Sequence, residues 1–199
     1  MNLTKLYLIR HGETEENHQG ILVGSTDVPL NDEGRKQALS LAQHVDALHV
    51  DSIFSSPLQR AVETAILTFG KDATIITDSS LCEYHFGDWE GMHFSDLAEK
   101  YPDLWRTWMQ DWEKTKIPGA ETFTSFNHRV IHFCEEILRD NPGKNMALVS
   151  HGGCIRTLLA HYLSRSIGMR YWRFKVANAA IAELEFAGSL PILSRVNYR

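Results

Sequence analysis

The chain is sparing in cysteine, in clustered basic charge and in long apolar runs, and each shortage excludes something. Its three cysteines, Cys82, Cys134 and Cys154, are odd in number and widely spaced. They suit reduced thiols of a cytoplasmic protein, packed as small apolar side chains, and not a disulfide framework. Lys and Arg number 20 against 25 Asp and Glu, a net charge of −5, and no dense basic cluster stands out. A nucleic acid is therefore not an expected partner, and any anion must be held by a local pocket. No apolar run approaches the ~20 residues of a membrane span. Met1 to Lys5 lead directly into a strand-like run, so neither a membrane segment nor a signal peptide is expected.

Several chemistries are missing as well. A glycine-rich nucleotide loop of the GxxxxGK type does not occur. A cysteine phosphatase needs an arginine six residues after its nucleophile, but Asp88, Asp140 and Ala160 occupy those places. His128 and His132 are spaced i, i+4, yet Arg129 stands where a zinc protease has glutamate. A partly solvated helix face explains that pair better than a metal does.

What is present is an alternation of apolar runs and amphipathic stretches. Strands are expected over 5–10, 51–54, 73–77, 145–150, 179–187 and 191–196, several of them apolar on both faces. Asn31 is placed to cap a helix through Val45, with Asp32 and Glu33 in its first turn. Ser56-Pro57 predicts a cap and first helical position for a helix to about Thr68. A helix from about Thr122 to Arg139 should stop at Asn141-Pro142-Gly143, and Gly152-Gly153 should open another. This is an α/β pattern with a mostly parallel sheet and helices on both faces. The 199 residues suit a single domain, in which the irregular stretch 78–121 reads as an insertion over the site.

Three strand-to-helix junctions concentrate the chemistry. Arg10-His11-Gly12-Glu13-Thr14 follows Leu6-Tyr7-Leu8-Ile9, and Ser150-His151-Gly152-Gly153 follows Leu148-Val149. Arg60 comes shortly after Ile53-Phe54-Ser55-Ser56-Pro57. In open α/β sheets, ligands bind beyond the carboxyl ends of strands, where helix N-termini present backbone N–H groups. Two guanidiniums and two imidazoles there suit phosphoryl transfer: an imidazole can attack phosphorus, and arginine forks match phosphate oxygens.

Leu8-Ile9-Arg10-His11-Gly12-Glu13-Thr14, Ser55-Ser56-Pro57-Leu58-Gln59-Arg60-Ala61 and Val149-Ser150-His151-Gly152-Gly153 together resemble the histidine phosphatase, or phosphoglycerate mutase-like, superfamily. The resemblance implies a three-layer αβα sandwich with no metal and no other cofactor. It implies His11 as the phosphorylated nucleophile, with Arg10, Asn17, Arg60 and His151 around the phosphoryl oxygens and the Gly152 backbone touching them. Glu83 would be the proton donor to the leaving group; otherwise it is a surface carboxylate. The partner so implied is a small phosphomonoester, with a homodimer compatible.

Between hydrolysis and mutase chemistry, the residues favour hydrolysis. A mutase must hold a second acidic group, but between Asp72 and Trp105 the only Lys or Arg is Lys100. Phe86-Gly87-Asp88-Trp89-Glu90, Trp108-x-x-Asp111-Trp112, Phe123-x-x-Phe126-x-x-Arg129-Val130 and Tyr171-Trp172-Arg173-Phe174-Lys175-Val176 are similar to α-ribazole phosphatases, which implies a role in cobalamin nucleotide-loop assembly. Gly119-Ala120-Glu121-Thr122 departs from the glycine-glutamate-serine of many relatives, which leaves broad-specificity hydrolysis open. A non-catalytic phosphate-binding module is disfavoured, because His11 and Glu83 are both retained. Trp105, Trp108 and Trp112 would share one helical face, either as packing or as a wall for a flat base.

Overall fold

The computed structural model describes residues 3–164 and 171–199. Six strands form one sheet: β1 (Thr4–Arg10), β2 (Ser52–Ser55), β3 (Ile75–Thr77), β4 (Asn145–Ser150), β5 (Ile181–Ala187) and β6 (Leu190–Tyr198). The spatial order is β3-β2-β4-β1-β5-β6. The first four in that order pair in parallel, whereas β5 runs antiparallel to both β1 and β6.

The helices are α1 (Glu15–Gln19), α2 (Asp32–Val45), α3 (Gln59–Phe69), α4 (Leu97–Lys100), α5 (Pro102–Gln110), α6 (Phe123–Asp140) and α7 (Gly152–Leu163). Alternation along β1 explains the layering, since successive side chains point to opposite faces. Leu6 and Leu8 join Met146 and Leu148 beneath Val130 of α6 and Leu158 of α7. Tyr7 and Ile9 join Ala147 and Val149 beneath Leu41 of α2 and Ala65 of α3. Both faces are buried, so the central strands read as continuous apolar runs.

Strand register brings the junctions together. Arg10 lies opposite Ser150, and Ser55 lies opposite Val149. The next residues continue the pattern: His11 N donates to Ser150 O at 2.9 Å, and Ser56 N donates to Val149 O at 3.0 Å. Asn31 caps α2 as expected, with Oδ1 accepting from Gly34 N at 2.7 Å. Its Nδ2 donates to Glu13 Oε1 at 2.9 Å, which ties this helix end to the turn after His11.

Three expectations are corrected. The helix after β2 starts at Gln59, not at Pro57, because Leu58 is extended at φ −64°, ψ 135°. The Ser56 hydroxyl lies instead 2.9 Å from His151 Nε2. Trp112 does not share a helical face with Trp105 and Trp108, since α5 ends at Gln110 and Asp111 leaves the helical region at φ −150°, ψ 73°. Strand β3 is also shorter than expected, because Ala73 N still bonds to Gly70 O in a turn.

Backbone meets backbone where the His11 turn rests on α2. A Cβ on Gly12 would lie 2.4 Å from Gly34 O, and one on Gly34 would lie 2.1 Å from Glu13 O. Neither neighbour is a flexible side chain, so the site's first turn depends on this approach. Gly34→Ala is expected to destabilise the fold by about 1–3 kcal/mol, the usual scale of overpacking. Urea unfolding at neutral pH checks this; an unchanged midpoint would show that α2 can shift freely.

Candidate active site

His11 caps the sequence of events at the end of β1. Its Nδ1 lies 2.6 Å from Gly12 O. A carbonyl only accepts, so Nδ1 carries the proton and Nε2 keeps its lone pair. The ring is buried, and burial, then Arg10 and Arg60, lower its pKa well below the ordinary histidine value. The imidazole is therefore neutral, the state in which nitrogen can be a nucleophile.

Arg10 and Arg60 are held by main-chain carbonyls and not by carboxylates. Arg10 Nη1 donates to Val176 O at 2.7 Å, while its Nε is buried without a partner. Arg60 is 1% exposed and donates to Gly24 O at 2.6 Å and Thr26 O at 2.8 Å. Burial lowers the pKa of Arg10 to about 10 and also lowers that of Arg60, opposed in both cases by Glu83. Both guanidiniums remain charged at neutral pH, a buried surplus that favours an anion.

His151 stands at the end of β4, with its ring 5.1 Å from that of His11. It is fully buried, and burial, then Arg60, His11 and Arg10, push its pKa well below the ordinary value. Its Nδ1 has no partner among the described residues. Asn17 is fixed by a capping box with Thr14, and its Oδ1 accepts from Asn178 Nδ2 at 2.9 Å. That leaves the Asn17 amide nitrogen as a free donor.

Glu83 is held at both oxygens, by Gly153 N at 2.7 Å and Tyr84 N at 2.9 Å. A Cβ on Gly153 would come 2.0 Å from Glu83 Oε1, so the second glycine of the pair admits this carboxyl. Arg10, Asn17, Glu83 and Gly152 line one cavity of about 460 Å³. Gly152 opens α7 beyond the carboxyl end of the central strand β4, against the Arg10 side chain. Of the residues that the resemblance points to, Arg10, Asn17, Glu83 and Gly152 line this cavity, whereas His11, Arg60 and His151 are buried and do not form its wall.

Comparison with known families matches residues 6–199 to the histidine phosphatase superfamily (branch 1). The chain belongs to this superfamily. Phosphoserine phosphatase 1 of Hydrogenobacter thermophilus is 31% identical over 196 residues, covering 98% of this chain and 92% of that one. The adenosylcobalamin/alpha-ribazole phosphatase of Salmonella typhimurium is also 31% identical over 196 residues, covering 98% and 96%. The crystal structure of the alpha-ribazole phosphatase from Shigella flexneri matches with a TM-score of 0.89 at 30% identity, over 98% of this chain and 96% of that one. The protein is a phosphatase of this histidine phosphatase family.

Several contributors to this histidine phosphatase site were not found by motif. Glu90 accepts from Gly24 N (3.0 Å), Ser25 N (3.1 Å), Phe86 N (3.0 Å) and Thr26 Oγ1 (2.8 Å), and so shapes the loop whose carbonyls hold Arg60. Burial raises its pKa, but these hydrogen bonds outweigh burial and the net shift is downward. Arg129 grips Glu121 at 2.6 Å and donates to the carbonyls of Ser80, Cys82 and Glu83, which fixes the segment carrying Glu83. Asn178 Nδ2 reaches the carbonyls of His11 and Gly12, both at 3.3 Å. Only Glu90 and Arg129 stood inside recognisable motifs; Asn178 had no local signal. Among the described residues, no three His, Cys, Asp or Glu side chains could jointly hold a metal. His128 and His132 stack at 5.8 Å, and His132 pairs with Glu136.

Two buried neutral imidazoles make stability pH-dependent. Their folded pKa values lie below the unfolded value, so the unfolded chain binds more protons as pH falls below about 6.5. Stability is full above that value and is lost on acidification towards the folded pKa values. Each ring contributes a slope of up to about 1.4 kcal/mol per pH unit. Urea titrations from pH 7.5 to 5.5 should show this loss, with a shallower slope in His151→Asn; identical slopes would mean that His151 is not buried neutral.

Proposed function

We propose that the protein hydrolyses a phosphomonoester through a phosphohistidine at His11, and that its substrate is α-ribazole phosphate. His11 Nε2 attacks phosphorus while the ester oxygen departs with a proton from Glu83. Water then attacks the phosphohistidine, returns a proton to Glu83 and releases inorganic phosphate. Arg10, Arg60, His151 and Asn17 bind the phosphoryl oxygens, with the Gly152 N–H beside them, and offset the charge that develops there. A phosphate brought beside Glu83 adds negative charge, which favours the carboxyl with its proton.

The observation that carries the substrate assignment is the wall of the cavity. Tyr84, Phe86, Trp108, Trp112 and Trp172 line it, and Arg156 is the only cation there besides Arg10 among the described residues. Trp112 packs 4.2 Å from Phe123 and 4.9 Å from Tyr171, measured between ring centroids. Such a cleft suits a flat, apolar leaving group such as dimethylbenzimidazole. Trp105 lies outside the lining and stacks on Trp108 at 5.4 Å, so it supports the wall.

Arg156 favours a second reading. It sits 5.3 Å from the Trp172 ring centre and lines the cavity, a cation that lies outside residues 72–105. It supplies a partner for a carboxylate, as in phosphoserine or a phosphoglycerate. Turnover of α-ribazole phosphate, phosphoserine, phosphoglycerates and p-nitrophenyl phosphate, without added metal, decides between them. A kcat/KM for α-ribazole phosphate at least tenfold above the others supports the assignment, and a preference for phosphoserine overturns it.

The intermediate is tested by rapid quenching. An acid-labile, base-stable phosphoryl adduct should appear on His11, and His11→Ala should lose both adduct and turnover, at a cost of several kcal/mol in the barrier. Label on another residue would reassign the nucleophile.

Glu83→Gln separates proton donation from packing. The glutamine NH₂ also meets one of two backbone N–H groups that the carboxyl now accepts from, so some general loss is expected. Beyond it, single-turnover labelling of His11 by an alkyl phosphate should slow by roughly 10²–10⁴-fold. Labelling by p-nitrophenyl phosphate, whose leaving group needs no proton, should slow far less. Equal losses would make Glu83 a shaping residue only.

A further inference from the structure

We propose that Ser56 is a positioning residue that holds the proton of His151 on Nδ1, making this imidazole a neutral hydrogen-bond donor to the phosphoryl group. The inference rests on the reading of His151 as a phosphate ligand and adds how it can be one.

The Ser56 hydroxyl and the His151 ring are both fully buried, and Ser56 Oγ lies 2.9 Å from His151 Nε2. Leu58 N donates to the same Oγ at 3.3 Å. Cys82 Sγ is 3.8 Å away. His151 Nδ1 is buried and has no partner among the described residues, with the His11 ring 5.1 Å distant.

A neutral imidazole has one proton, and two arrangements satisfy the hydroxyl. If Nε2–H donated to Ser56, the hydroxyl would donate to the weakly accepting Cys82 sulfur, and Nδ1 would present a bare lone pair. A phosphate dianion offers only acceptors, so that lone pair would repel it. If Ser56 O–H donates to Nε2, it still accepts from Leu58 N, and Nδ1–H is left for an incoming oxygen. Only the second arrangement satisfies every group once phosphate is bound.

Ring mounting then gives two histidines opposite roles from the same tautomer. His11 is held through Nδ1–H by Gly12 O and exposes a lone pair at Nε2. His151 is held through Nε2 by Ser56 and presents N–H at Nδ1. One ring attacks phosphorus and the other donates to its oxygens, with neither needing a charge in a site already crowded by Arg10 and Arg60.

Nitrogen-15 NMR of the histidine rings in the whole protein tests this, with inorganic phosphate as the probe. In the wild type, His151 should show a protonated Nδ1 and a bare Nε2, both free and phosphate-bound. Ser56→Ala should move the proton towards Nε2 in the free protein and weaken phosphate binding by roughly tenfold, about one hydrogen bond to a charged group. Ser56→Thr, which keeps the hydroxyl, should restore the wild-type tautomer. A wild-type His151 protonated at Nε2, or a Ser56→Ala ring indistinguishable from wild type, overturns the proposal without any variant having to be active. His151→Ala separates the two claims: unchanged phosphate affinity in that variant overturns the phosphate role itself, whatever the tautomer.

Discussion

Two guanidinium groups buried without a carboxylate partner set the conditions for everything around them. Arg10 and Arg60 donate to the Val176, Gly24 and Thr26 carbonyls, and among the described residues neither forms an ion pair, though Glu83 acts on both. Charge buried in that way is costly unless an anion completes it. Burial, reinforced by the two guanidiniums, keeps His11 and His151 neutral. Much of the surrounding architecture serves to hold those two side chains still. Glu90 gathers four donors from residues 24–26 and 86, and thereby orients the carbonyls that grip Arg60.

The fold and the core of the site were legible because their signals are local. A buried strand shows as an apolar run, and a strand that ends in Arg-His-Gly or Ser-His-Gly-Gly states its own chemistry. What was not legible depends on distant partners. Ser56 has the sequence of a helix cap, but its hydroxyl is taken by a histidine 95 positions away. Trp112 keeps helical spacing with Trp105 and Trp108, yet Asp111 breaks the helix before it. Arg156 and Asn178 belong to segments whose meaning appears only when β4 and β5 flank β1.

Charged and aromatic side chains line the same cavity, with Arg10, Glu83 and Arg156 among the first and Trp108, Trp112 and Trp172 among the second. The proposed substrate reading rests on the aromatic part of that wall. Arg129, clamped to Glu121 and to three carbonyls, fixes the segment from Ser80 to Glu83.

Strand β1 lies between one strand from residues 145–150 and another from 181–187. His11 O accepts from Ala179 N, and Arg10 is held by Val176 O. The turn after β1 is therefore completed by residues at least 166 positions later in the sequence, so its geometry exists only in the folded chain.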